Sequence, residues 1–225
     1  MVLGLGFAVL AAAAFVQAAL AGNVVTTVLC GAYGAGLLGA AAAWMGGGPR
    51  LFGKRADGTM PLWAWGLHAS WYTLALVAFY GRLWWSREPA CDEVAAGVWV
   101  GRRLLGREQR FLPDPGAAVL DMTAEFPATV RGGAYRCLPV LDVTAPTAEQ
   151  LRAAADWIAA QRADGRAVYV HCAMGHGRSA TAVAAWMMRQ EPGLTVEAAE
   201  ARMKERRPGV RLSGPQRRAL GGARR

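Results

Sequence analysis

The segment Val168-Tyr169-Val170-His171-Cys172-Ala173-Met174-Gly175-His176-Gly177-Arg178-Ser179 carries the spacing in this chain that points most clearly to chemistry. An apolar run of β character leads into Cys172, five residues separate it from Arg178, and Ser179 follows where an Ala-rich helix is expected to begin. A loop that closes onto a helix N-terminus turns backbone N–H groups inward and makes an anion site. Ala173, Met174, Gly175, His176 and Gly177 would build that loop, with Arg178 at its end. The same amides and the helix dipole would lower the pKa of Cys172 and give a thiolate nucleophile near neutral pH. Arg178 can hold two phosphate oxygens with its planar fork, which a lysine cannot. Gly175 and Gly177 give the backbone freedom and remove side chains that would crowd the anion. Ser179 is placed to donate a hydrogen bond to the sulfur as it leaves. The chemistry this composes is attack on a phosphate monoester, needing no metal and no cofactor. A buried cysteine before a turn, with an exposed arginine after it, would explain either residue alone but not the full string.

The elements that must position these residues alternate. Val98–Val100, Ala117–Met122, Arg136–Leu141 and Ala167–Val170 read as strands. A helix opens at Thr147-Ala148-Glu149-Gln150, the spacing of a capping box, buries Leu151, Trp157 and Ile158, and ends at Asp164-Gly165. Further helices are expected over about 178–190 and 196–207. Strands separated by helices predict an α/β domain with a mostly parallel sheet flanked by helices, and active groups at the strands' carboxyl ends.

Ahead of that domain the composition changes. Residues 1–88 hold five Lys/Arg and two acids, and the rest of the chain holds the other twenty basic and fourteen acidic side chains. We therefore divide the chain into 1–87, an all-α membrane segment of two or three helices, and 88–225, a catalytic domain. Val2–Ala21 has Gln17 as its one polar side chain and is long enough to cross a bilayer. The competing reading is a secretory signal cleaved after Ala19-Leu20-Ala21, but the usual positive n-region is missing. Gly22-Asn23 breaks the run, and Val24–Met45 follows. Its Gly31, Ala35 and Gly39 form a small-residue stripe suited to close helix packing. Leu62–Trp85 contains five tryptophans and His68, and predicts either a third span or a helix lying in the interface. The interfacial arrangement is preferred, because spanning would place the loop with Arg50, Lys54 and Arg55 across the membrane from the catalytic domain. The net charge of +9 favours anionic partners, phosphate esters and acidic lipid surfaces among them. Zinc-finger spacings, RNA-binding aromatic motifs and long basic runs are absent, so nucleic acid is not expected. Cys30, Cys91, Cys137 and Cys172 show neither metal spacing nor a disulfide framework.

The Cys172-x5-Arg178-Ser179 string resembles the signature of the cysteine-dependent protein tyrosine and dual-specificity phosphatase superfamily, in a membrane-anchored bacterial-type form. The resemblance runs over roughly residues 92–220. Gly97-Val98-Trp99-Val100-Gly101 is similar to the opening strand, Val119–Glu125 to the second, and Arg206-Arg207-Pro208-Gly209-Val210 with Gln216 to the C-terminal helical region. It implies a dual-specificity-phosphatase-like fold and a cysteinyl-phosphate intermediate. The departing alkoxide needs a proton, so a carboxylic acid must face the phosphate. Asp142 stands just past a strand end, thirty residues before Cys172, and resembles the family's acid-bearing position. Asp121, Asp156 and Asp164 are less well placed, and Glu125 is the second candidate. Asp142 could instead be a turn residue or helix cap before Pro146. His171 is expected to order the loop through its backbone. Phosphoproteins (Tyr or Ser/Thr) and phospholipid monoesters both remain as substrates. The catalytic domain is expected in the cytoplasm, where a reactive thiolate is kept reduced. A non-catalytic phosphate-binding or scaffold module is the alternative from another function class.

Overall fold

The computed structural model describes residues 2–223, so residues 1, 224 and 225 of the two sequence segments lie outside the described residues. The chain divides into two compact units. One comprises the chain through Arg55 with Thr59–Ser86 and Ala124–Pro127, and the other Ala56–Gly58, Arg87–Thr123 and the chain from Ala128 onward.

In the first unit α1 (Val2–Leu20) and α2 (Val24–Ala42) are joined by a break in which Asn23 caps α2, its side chain accepting from Thr26 N at 2.9 Å. A π-turn at Ala43–Gly47 extends α2. Val2–Leu20 and Val24–Gly47 are long and apolar enough to cross a membrane, at 19 and 24 residues. Leu5, Val9 and Val16 on α1 and Val24, Val25 and Val28 on α2 are exposed, as an apolar surrounding allows. The third apolar stretch is not one continuous helix. It is divided at His68 (φ −105°, ψ 18°) into α3 (Leu62–Leu67) and α4 (Ala69–Trp85). The buried His68 ring bonds the Leu51 carbonyl through Nε2 at 2.9 Å, so it serves a chain bend. The expected small-residue stripe makes close contact only at Gly39. A Cβ at Gly31 would meet nothing, and Ala35 is only half-buried. Close approach falls at Gly34, against Phe15 and the Ala11 carbonyl, and at Gly36 and Gly39, against Ser70 and His68. Two faces of α2 are occupied by neighbours, which a single four-residue repeat cannot describe.

The second unit is built on a five-stranded sheet, β1 (Cys91–Ala95), β2 (Val98–Arg102), β3 (Ala118–Thr123), β4 (Ala134–Val140) and β5 (Val168–Cys172), in the order β1-β2-β5-β3-β4. Four strands run parallel, and β1 pairs antiparallel with β2 at the edge. The sheet is the expected mixed, largely parallel one. β1 was not foreseen, because Asp92 and Glu93 make its sequence look like a solvated loop.

Side chains alternate faces along a strand. Val98, Val100, Leu120, Met122, Val168 and Val170 enter one core with α5 (Ala148–Ala163), α6 (Arg178–Gln190), α7 (Val196–Arg206) and α8 (Gly214–Ala223). Trp99, Val119 and Tyr169 face the other way and pack with Leu104, Leu112 and Val130 from loops. The capping box of α5 is formed: Gln150 N donates to Thr147 Oγ1 at 3.1 Å and Thr147 N to Gln150 Oε1 at 3.0 Å. The parallel strands β2, β5, β3 and β4 all end at one edge of the sheet, and Arg102 pairs with Cys172 there. Ile158 is 0 % exposed in this core. Ile158→Ala should therefore destabilise the chain by about 2–5 kcal/mol. Thermal unfolding of detergent-solubilised protein, followed by circular dichroism, checks this; an unchanged midpoint would contradict the packing described.

Candidate active site

Cys172 is the last residue of β5, and α6 begins at Arg178, so the five residues between them form a loop at the sheet's carboxyl edge. Cys172 is buried at 4 % exposure, and its sulfur is surrounded by donors. Gly175 N lies 3.2 Å away and Ser179 Oγ 3.4 Å. The backbone N–H groups of His176 and Ser179 also bond the sulfur. Burial pushes this thiol up, but the Arg178 guanidinium, the Ser179 hydroxyl and these amides outweigh it and hold it below its ordinary value.

The loop keeps this shape because its carbonyls are held from outside. In a planar trans peptide the N–H and C=O lie in one plane and point in opposite directions. Arg207, 1 % exposed just past α7, donates from NH2 to Met174 O at 3.0 Å and from Nε to Gly175 O at 3.0 Å. Fixing those two carbonyls turns the N–H groups of Gly175 and His176 toward the sulfur. Arg103 N donates to Ala173 O at 3.0 Å and Arg211 N to His176 O at 3.2 Å, completing the outer ring. Gly175 has φ +75°, and a Cβ there would overlap the backbone of Gly101, so both strain and space require glycine. The Arg207 charge is itself met by Asp92 at 2.6 Å and Glu88 at 3.6 Å. The sequence reading noticed Arg207 only as part of a resemblance. Its role as the outer clamp depends on acids more than a hundred residues away, which no local pattern reveals.

Arg178 is 2 % exposed; its NH1 donates to Val140 O at 2.8 Å and its NH2 lies 3.0 Å from Asp142 Oδ1. The turn after β4 thus brings Asp142 to the loop, with the carboxylate half-exposed. Val143 follows with φ +56°, a left-handed conformation that a β-branched residue rarely adopts. Gln216 of α8 ties this turn down, its Nε2 donating to Thr144 O at 3.0 Å. The same side chain stands beside Gly177, where a Cβ would come within 3.1 Å of it. Glu125, the second acid candidate, is buried at 4 % exposure with Oε2 accepting from Ala124 N at 3.0 Å. His171 places Nδ1 at 3.3 Å from Cys172 O, and its ring stacks on Tyr169. Its Nε2 lies 3.9 Å from buried Asp121, which also accepts from Tyr135 OH at 2.8 Å and from Thr123. Among the described residues no three His, Cys, Asp or Glu side chains are grouped to hold a metal ion.

Residues 117–223 match the family described as dual specificity phosphatase, catalytic domain. Among solved structures, Tk-PTP in its active form is 29 % identical, with a TM-score of 0.55 over 60 % of this chain and 97 % of that one. Human DUSP28 is 23 % identical, with a TM-score of 0.55 over 61 % of this chain and 94 % of that one. PTPMT1, solved in complex with PI(5)P, is 22 % identical, with a TM-score of 0.54 over 60 % and 95 %. The last two likenesses concern the fold alone. No curated protein matches the sequence.

The lowered thiol gives a direct test. Alkylation of Cys172 by iodoacetamide, followed by mass spectrometry against pH, should show a midpoint below the ordinary cysteine value of about 8.5. Arg207→Met should move that midpoint upward, because the amides lose their fixed aim. A midpoint at or above the ordinary value in the unaltered chain would refute the electrostatics described.

Proposed function

We propose that the catalytic part of this chain, which matches the dual specificity phosphatase catalytic domain over residues 117–223, is a phosphatase of that superfamily and hydrolyses phosphate monoesters at a membrane through a cysteinyl-phosphate intermediate. The observation that carries the proposal is the single cluster of Cys172, with its thiol depressed, Arg178 and Asp142 at the mouth of one anion-shaped loop. In this reading the phosphate lies over the loop amides, and Arg178 turns its fork from Asp142 to the equatorial oxygens. The Cys172 thiolate attacks phosphorus in line as the ester oxygen departs, and Asp142 protonates that oxygen. Water then attacks the thiophosphate, with Asp142 taking its proton and Ser179 donating to the returning thiolate. Ala173, Met174, Gly175, His176 and Gly177 supply the cradle, and His171 steadies it from below.

Two substrate classes fit this chemistry, phosphoproteins and phospholipid head groups. The two apolar helices favour a substrate at the bilayer, where an anchor raises the effective concentration of a lipid. The complex of PTPMT1 with PI(5)P gives one fold relative a lipid-type ligand. We further propose that α1 and α2 cross the membrane and that the catalytic domain faces the cytoplasm, a reducing compartment suited to four cysteines that are all free thiols.

The purified full-length chain should hydrolyse a generic aryl phosphate, which a non-catalytic binding module would not. Cys172→Ser should abolish this turnover, and Arg178→Lys should remove most of it although the charge is kept. Asp142→Asn should slow poor leaving groups by ~10²–10⁴-fold and aryl phosphates with acidic leaving groups far less. Equal loss on both substrate types would move the acid elsewhere, with Glu125 next to be replaced. Phosphopeptides assayed beside phospholipid vesicles separate the two substrate classes. For topology, Gly222→Cys in intact cells should resist a membrane-impermeant thiol reagent; labelling there would refute the cytoplasmic placement.

A further inference from the structure

His176 is the one ionisable side chain among the variable positions of the loop, and it is not directed to the anion site alone. Its Nε2 lies 2.5 Å from Glu88 Oε2, with both side chains 31 % exposed. Glu88 precedes β1 and is 88 residues away in sequence, so the pairing is a product of the fold. Gly209 closes over the pair. A Cβ there would collide with Glu88 and stand 2.5 Å from His176 Nε2, so the imidazole has a fitted seat on the outer side of the loop. The charged groups around that seat are Glu88, Asp92 and Arg207, with Arg207 spanning the two acids at 3.6 and 2.6 Å.

We propose that Glu88 is a positioning residue that determines specificity by engaging His176, so that the loop accepts one phosphate group and disfavours a second anionic group beside it. The backbone of His176 faces the sulfur while its side chain is drawn to Glu88. The imidazole is therefore committed, and the Glu88 carboxylate repels any further negative charge arriving at that rim. Removing the carboxylate releases a hydrogen-bond donor toward the substrate and deletes the repulsion in one step. The proposal rests on the phosphatase reading for its choice of ligand, but binding can test it without turnover.

The test uses the full-length Cys172→Ser chain in detergent, titrated calorimetrically with inorganic phosphate and with pyrophosphate. Adding Glu88→Gln should tighten pyrophosphate about tenfold relative to phosphate, the scale of one nearby charge removed at a partly exposed site. In a chain that also carries His176→Ala part of that gain should vanish, because there is no imidazole left to be released, while the part due to repulsion stays. A relative gain below about twofold overturns the proposal, as does a full gain that persists without His176. If Glu88→Gln fails to fold, His176→Asn decides the matter. It removes the imidazole's share in shielding the Glu88 carboxylate, so pyrophosphate must weaken relative to phosphate, and an unchanged or improved ratio overturns the proposal. Aryl phosphate turnover by the unaltered chain is measured separately. Its absence would sink the phosphatase reading while the anion ratio still reports on Glu88, and binding of neither anion by any variant would overturn both.

Discussion

A planar trans peptide cannot aim its amide independently of its carbonyl. The candidate site depends on that constraint, because the thiol of Cys172 is stabilised by N–H groups that local sequence cannot hold in place. Left to itself, a loop of Ala, Met, Gly, His and Gly would sample many conformations, since glycine is the least restricted residue. Arg207 removes this freedom by taking two consecutive carbonyls, and the backbone at Gly101 in β2 and at Arg103 just after it closes the remaining side. A guanidinium suits the task because its donors form a rigid fork and stay charged when buried. Burying that charge is tolerable only because Asp92 and Glu88 lie against it.

How much of this was legible in the sequence follows from how local each feature is. The capping box at Thr147 and Gln150 involves residues three apart, and the structure forms it as expected. The β-strand, cysteine, loop and helix of residues 168–190 are likewise contiguous, and their order could be read directly. β1 escaped notice because its polar sequence becomes a strand only by pairing with β2. α8 showed only through the resemblance of Gln216 to a C-terminal helical region, because Gly214, Gly221 and Gly222 are poor helix formers. It is held by Leu220 in the core and by the reciprocal bonds of Ser213 and Gln216. The acid Glu88, far from the loop in sequence, carried no signal at all.

The apolar unit obeys a different rule. Several of its buried polar side chains find their partners within the unit. Ser70 Oγ donates to Tyr33 O at 3.0 Å and Tyr72 OH to Phe52 O at 3.1 Å, while His68 serves Leu51. Each takes up a main-chain carbonyl of a neighbouring segment. Hydropathy alone reported a third long stretch, but it could not report that the stretch bends where these bonds form.

The clamp on the loop has a consequence for how the chain acquires reactivity during synthesis. Cys172 leaves the ribosome before Arg207, and β1 with its acids has emerged long before either. Until Arg207 arrives, the carbonyls of Met174 and Gly175 lack the fork that holds them, although Arg178 and Ser179, which also lower the thiol, are already present. A nascent chain stalled between these points would carry the cysteine without the outer clamp of its loop. The order of residues along the chain thus makes the shape of the loop one of the last features of the domain to be fixed.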